Sequence, residues 1–299
     1  MNNYTTIKSV ATHLFGLLML LSIVGCEPER PIYDGPNYIM FSAERYDLGV
    51  IDNDEWFEIP ISATCTADHD RNVGVEIIAA RSSAIYGKHF TLESTTVTIP
   101  AGEYATALRI KGYADALSIT ETLGVTLRLV MDEKDAWEEY NIESEVYLHK
   151  CCPFDPNAFT GYAVLTSTWA MQYMNLESLL VHTHIDTTSP NTIIVESMFY
   201  KGYDVSISFN IEDRLEPLIE MSDAQVIGST GEAFGTIYGD GKLMMMQTIG
   251  ATSYYSTCEG FLLLYTTIYV NGIGTVGNYA NVLEWISDDE AERIMREGF

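Results

Sequence analysis

The sequence predicts an all-β fold: two β-sandwich domains in series, or a sandwich followed by a small barrel, with a short C-terminal helix. Three observations predict it. Beyond the N-terminal segment, apolar residues recur at helical spacing almost nowhere. Instead, short runs rich in Val, Ile, Thr, Tyr and Phe return about every ten residues, the spacing of sandwich and barrel strands. Gly, Asn, Asp and Pro punctuate those runs where a chain must turn.

The first segment stands apart. One base, Lys8, precedes an apolar run from Leu14 to Val24 that ends at Gly25-Cys26. The run has about eleven residues, too few for a spanning helix, and is built like a secretory signal. Ile23-Val24-Gly25-Cys26 resembles the bacterial lipobox, in which the cysteine thiol takes a diacylglycerol and cleavage makes it the first residue. That resemblance implies a signal peptide over 1–26 and a lipid on Cys26, with the membrane as a partner through that lipid. Two or more acyl chains hold firmly where a single one binds marginally. Residues 27–36 open with Glu27-Pro28-Glu29-Arg30-Pro31, a Pro-containing polar stretch that reads as an extended tether. Acids directly after a lipidated Cys also resemble the surface-export signals of Bacteroidetes lipoproteins.

Charge narrows the list of partners. The whole chain carries 16 Lys and Arg against 42 Asp and Glu, a net charge of −26. Loss of Lys8 with the signal leaves 15 bases and a net −27. Nucleic acid and anionic lipid headgroups are repelled by such a chain.

Residues 37–150 read as an immunoglobulin-sized sandwich. Strands are expected near 37–41, 56–63, 74–80, 95–99, 105–111, 124–130 and 145–148, with Pro100-Ala101-Gly102-Glu103 as a turn. Tyr86-Gly87-Lys88-His89-Phe90-Thr91-Leu92, then Val97 through Glu103, then Asp115 through Leu127, resemble the Calx-β pattern in order and spacing. In that family, acids between the last strands bind calcium, and Asp115 and Glu121 fall on two such positions. Ala114 and Ser118 stand where further acids belong, and His89 replaces an Asp. Calcium takes roughly six to eight oxygens, so the resemblance here implies the scaffold rather than the ion.

Lys150-Cys151-Cys152-Pro153-Phe154-Asp155-Pro156 breaks the strand pattern, and a second domain is expected over 151–299. Its strands are expected near 161–168, 179–185, 192–199, 204–211, 218–221, 235–238, 243–248, 261–270 and 282–285. Tyr238-Gly239-Asp240-Gly241-Lys242 reads as a hairpin turn. The tail reads as a helix, with Ser287 and Glu290 as a capping box, Asp288 and Asp289 in the first turn and Arg293 and Arg296 near the end. In this exported chain, Cys65, Cys151, Cys152 and Cys258 either form two bridges or stay free. Because adjacent cysteines pair poorly, the bridged reading joins Cys65 to one of the vicinal pair and Cys258 to the other. The whole arrangement resembles uncharacterised two-domain lipoproteins of gut Bacteroidetes, which implies a surface-exposed, outer-membrane address and a link to glycan uptake.

No motif of catalysis stands in the chain: no P-loop, no Gly-x-Ser-x-Gly, no singled-out carboxylate pair. Asp52-Asn53-Asp54-Glu55 has the oxygens of a calcium loop without its Gly and final Glu. His182, His184 and Asp186 alternate along one strand face, a row that could hold zinc if a fourth ligand came from elsewhere. Set against that is a solvent-facing polar row. Asp186-Thr187-Thr188 resembles the short O-glycosylation sequence of Bacteroidetes. Trp169, Tyr173, Tyr254 and Tyr255 lie near turns or strand ends and are the candidate rings for stacking on sugar, with sheet packing the competing fate. The expected function is therefore a non-catalytic surface binding module without a cofactor, glycan its partner. A structural or protein-interaction role in the envelope is the first alternative and an unrecognised hydrolase the second.

Overall fold

The computed structural model describes residues 35–136, 140–221 and 223–299. The expected signal peptide, Cys26 and nearly all of the tether lie outside these residues. Nine strands come first: β1 (Ile39–Phe41), β2 (Arg45–Val50), β3 (Phe57–Ala63), β4 (Arg71–Ile77), β5 (Phe90–Leu92), β6 (Thr96–Ile99), β7 (Ala105–Gly112), β8 (Leu123–Val130) and β9 (Glu143–Lys150). They form two facing sheets, ordered β1-β3-β7-β5 and β2-β9-β8-β4-β6. Side chains that alternate inward along each strand, among them Phe41, Ile59, Ile61, Leu108, Leu127 and Leu148, fill the space between.

Strand β2 was not expected from the sequence, because Asp47 and Gly49 are poor strand formers. Pairing supplies what propensity lacks. β2 lies parallel to β9 over six residues, from Arg45 opposite Glu145 to Val50 opposite Lys150. Asp47 reinforces it by accepting hydrogen bonds from Arg45 Nε and Nη2, each at 2.7 Å, and by lying 2.7 Å from His149 Nε2 on β9.

The two ends of this sandwich have different neighbours. Arg71 ties one end, donating to Asn37 Oδ1, Cys65 O and Glu103 O. That is where the chain enters. The other end holds Gly49, Val50 and Cys151, and Gly112 packs so closely on Val50 there that a methyl group would meet it at 2.6 Å. The rest of the molecule attaches at this second end. Arg214 donates to Gly49 O at 3.2 Å and to Glu55 Oε2 at 2.6 Å.

After Lys150 the strands are β10 (Gly161–Ser167), β11 (Leu179–Ile185), β12 (Thr192–Glu196), β13 (Val205–Phe209), β14 (Ile219–Glu220), β15 (Gln225–Ser229), β16 (Lys242–Gln247), β17 (Tyr254–Ser256), β18 (Phe261–Val270) and β19 (Gly274–Trp285). Two α-helices accompany them among the described residues, α1 (Thr230–Phe234) and α2 (Asp288–Glu297). The ten strands form one sheet, ordered β14-β13-β12-β11-β10-β19-β18-β16-β15, with β17 beside the first half of β18.

This sheet curls until its ends meet. Ile219 N–H donates to Ser253 O and Tyr255 N–H to Pro217 O, which sets β14 against β17. Farther along the seam, glutamine amides replace backbone pairing. Gln247 accepts from Met221 N–H at 3.0 Å and donates to Ile219 O at 3.1 Å. Gln225 accepts from Ser206 N–H and donates to Ser206 O, both at 2.7 Å. The result is a small barrel whose interior is packed solid with Leu165, Val195, Ile207, Ile227, Met245, Leu264 and Leu283.

Three expectations need correction. No strand forms at 235–238: the Asp-Gly turn is present, with Gly239 and Gly241 at φ 54° and 82°, but a loop following α1 leads into it. α1 carries its own capping box, Ser229 with Glu232, so the terminal helix is not alone. Cys65 joins no bridge. Cys152 bonds Cys258, while Cys65 and Cys151, at opposite ends of the sandwich, are free thiols. The terminal helix forms where expected, with Ser287 Oγ accepting from Glu290 N–H and Ala291 and Ile294 buried, but the Glu290 carboxylate accepts from Arg293 instead of completing the expected capping box.

Hydrogen bonds from Arg45, then His149, depress the Asp47 carboxyl to about 2. A carboxyl depressed on folding stabilises the fold fully above its unfolded value near 4, and that stability is lost as pH falls toward 2. Urea unfolding measured against pH should therefore show a shallower loss between about pH 4 and 2 for Asp47→Asn than for the parent. Identical slopes would mean that the contacts of Asp47 with Arg45 and His149 contribute nothing.

Candidate functional site

The chain turns sharply at the end of β10, and a buried polar network decides what the turn presents. Ser167 Oγ donates to Asn281 Oδ1 at 2.7 Å and accepts from Trp169 N–H at 3.2 Å. Asn281 Nδ2 donates to Leu264 O and Thr266 Oγ1. Ser167, Thr266 and Asn281 are all fully buried, so such satisfied groups fix one geometry. They swing Trp169 inward as a plug across one end of the barrel.

Other rings gather on that plug. Trp169 stacks on Tyr173 with centroids 4.2 Å apart, and Tyr279 meets it edge-on at 5.2 Å. Gly277 leaves room for the Tyr279 hydroxyl, which a methyl group there would meet at 2.7 Å. Burial, then a hydrogen bond with the Tyr173 hydroxyl, pushes the Tyr279 phenol far up, so it stays protonated. Phe234 from α1 lies edge-on to Tyr173 at 5.6 Å and to Tyr238 at 5.9 Å.

Above the plug is an open pocket of about 340 Å³, bounded by Tyr173, Phe234, Tyr238, Val270, Ile273 and Val276, together with Gly274 and Thr275. The size is that of a small ligand site. Its lining holds no charged group in a chain of net charge −26. Tyr238 is 46% exposed and Ile273 64% exposed, so the rim carries open apolar surface.

A second cavity of about 680 Å³ lies where sandwich and barrel meet, lined among others by Glu121, His149, Arg214, Tyr255 and Cys258. Its lining rings Phe154 and Tyr255 are engaged with core rings behind them. Phe154, Phe159, Phe209 and Tyr255 pack within 4.7–6.2 Å, and the Tyr255 hydroxyl donates to Asn210 O. This cavity offers charge, and the other offers ring faces.

The four rings singled out in the sequence thus separate. Trp169 and Tyr173 belong to the far end of the barrel, and Tyr254 and Tyr255 to the end facing the sandwich. Trp169, fully buried, and Tyr255, 5% exposed, are core rings with no face to offer, which corrects their assignment as sugar-stacking residues. Tyr173 borders the open pocket, and Tyr254 is exposed but edge-packed on Phe261 at 5.9 Å. Phe234 and Tyr238 were not among the candidate rings, because 235–238 reads as a strand leading into the Asp-Gly turn and not as the loop after a helix. The Ser229-to-Glu232 capping signal was the available clue to α1.

The ligating candidates also rearrange. Asp186 turns back to accept from Thr188 N–H and Oγ1, closing its own loop instead of joining the histidines. Glu196 takes that place: on β12, opposite His182, its Oε1 lies 3.0 Å from His182 Nδ1 and 2.9 Å from His184 Nδ1. The first bond is the main reason the Glu196 carboxyl lies below the usual range. Asp115 accepts from Asn53 Nδ2, whereas Glu121 faces the cavity between sandwich and barrel. Asp52 caps its own turn through Asp54 N–H and Glu55 N–H.

Residues 139–297 match a domain of unknown function, DUF4984, over more than half of the chain. The chain belongs to the DUF4984 family. The DUF4984 segment takes in β9 of the sandwich as well as the barrel and all of α2. Among solved structures, this DUF4984 protein is similar to a protein of unknown function from Bacteroides ovatus, with 12% identity and a TM-score of 0.35, covering 82% of this chain and 89% of that one. It is similar to an auxiliary nutrient binding protein from Bacteroides thetaiotaomicron, with 14% identity and a TM-score of 0.30, covering 81% and 90%. The apo-form Calx CBD1 domain is similar over 39% of this chain and 98% of its own, with 17% identity and a TM-score of 0.33. No curated protein matches the chain.

Proposed function

We propose that this protein is a lipid-anchored, non-catalytic binding module on the bacterial outer surface, and that the ring-lined pocket holds a neutral sugar. One observation carries the reading: an open, uncharged aromatic pocket at the end of the barrel away from the sandwich. The chain enters at the far end of the sandwich, the barrel attaches at the other, and the pocket lies beyond that. On this reading 27–36 is the tether, 37–150 the spacer and 151–299 the binding domain.

The chemistry fits a sugar. A pyranose has an apolar face and a rim of hydroxyls. Tyr173 and Tyr238 offer ring faces and hydroxyls together, and Thr275 adds another hydroxyl. The same lining supplies no carboxylate, imidazole or ammonium for acid–base chemistry. Exposed Ile237 and Ile273 beside the rim favour the second reading, a protein partner on the same surface.

Detergent-solubilised protein on a glycan array should bind neutral glycans. An aromatic anchor is worth about 2 kcal/mol, so Tyr238→Ala should weaken binding roughly thirtyfold at one decade per 1.4 kcal/mol. Melting should barely change, since Tyr238 is half exposed. Trp169→Ala should instead cost about 3–5 kcal/mol of stability, as removal of a core ring does. An array without a hit, or a Tyr238→Ala protein that binds like the parent, would remove the sugar from the reading. The anchor is tested separately. Cys26→Ser should abolish incorporation of labelled palmitate, and label remaining on that variant would contradict lipidation at Cys26.

A further inference from the structure

His182 and His184 stand two residues apart on β11, so both rings project from the outer face of the barrel while Val181 and Thr183 face inward. Tyr162, opposite His182 on β10, meets its ring edge-on at 5.1 Å and limits how it can turn. Glu196 enters from the other side, on β12. Among the described residues this is the one group of three His, Cys, Asp or Glu side chains whose ligand atoms all lie within 4.8 Å of one another.

We propose that His182, His184 and Glu196 form a binding site for a single divalent transition metal, zinc being the reference ion. The donor set decides the class. Two imidazoles and one carboxylate suit zinc, copper or nickel, whereas calcium and magnesium call for oxygens. The spacing is right as well. Zinc bonds nitrogen and oxygen at roughly 2.0–2.2 Å, which places tetrahedral ligands about 3.3 Å apart. Glu196 Oε1 already lies 3.0 and 2.9 Å from the two Nδ1 atoms, so those separations need widen only by a few tenths of an ångström, and all three ligand atoms lie within 4.8 Å of one another.

The metal would replace the imidazole protons now shared with the carboxylate. The chain's net charge of −26 draws cations toward its surface. All three side chains are partly exposed, so water or a donor from another molecule can complete the shell. The site lies on the barrel wall, on residues separate from those of the aromatic pocket, and stands or falls independently of sugar binding.

The test is calorimetric titration of zinc chloride into the full chain, stripped with chelator and held in detergent. One zinc should bind per chain. His184→Ala should weaken it by at least the roughly 10–100-fold that loss of an outer partner costs a metal site, and Glu196→Gln should do likewise. Both positions are exposed, so melting curves should match the parent. His149→Ala, at a ring engaged by Asp47, and a Cys65→Ser, Cys151→Ser double variant should bind zinc as before. Cobalt(II) should give the visible absorption of a nitrogen- and oxygen-ligated site and lose it in His184→Ala. Absence of zinc binding, or binding that survives both His184→Ala and Glu196→Gln, would overturn the proposal.

Discussion

A ten-stranded sheet has two edges, and each edge is a row of backbone N–H and C=O groups that must find partners. Here they find each other, so the barrel depends on its seam. Direct backbone bonds between Pro217–Ile219 and Ser253–Tyr255 close one part. Strands β13 and β14 then diverge from β15 and β16, and two glutamine side chains span the gap. An amide is the smallest side chain that both donates and accepts as a peptide does, which is why Gln225 and Gln247 can stand in for missing strand residues. Leaving such a group unpaired costs about 1–3 kcal/mol where water cannot reach it.

Closure has a consequence for function. A barrel of this size is filled by its own side chains, which leaves its ends and outer wall as the surfaces open to a ligand. The end facing the sandwich holds the charged cavity, bordered by Arg214, the Cys152–Cys258 bridge and interlocked rings. The other end is plugged by Trp169, and the loops around the plug remain open to solvent. Ser167 and Asn281 connect the two facts. They are core residues of the barrel, and they also aim the turn that builds the floor of the pocket.

The sequence showed clearly whatever depends on local pattern. β18 alternates inward and outward for ten residues and was legible over its whole length. The prolines at 153 and 156 marked the break after β9, and Ser287 marked the start of α2. What depends on distant partners stayed hidden. β17, three residues long, lies between β18 and the returning edge of β14, a place that only closure of the barrel creates. Trp169 beside a turn reads the same whether it points in or out, and the choice rests with Asn281, far along the chain. Glu196 reaches the histidines through strand register, which no local motif records.

The central claim is that the ring-lined end of the barrel is the binding surface. Amide hydrogen exchange, with and without the glycan selected by the array, tests it most directly. Protection confined to residues 234–241 and 270–276, the two segments that border the pocket with Tyr173, is the predicted result. Protection centred instead on residues 119–122 and 211–217, at the junction with the sandwich, would place the ligand in the charged cavity and contradict the account.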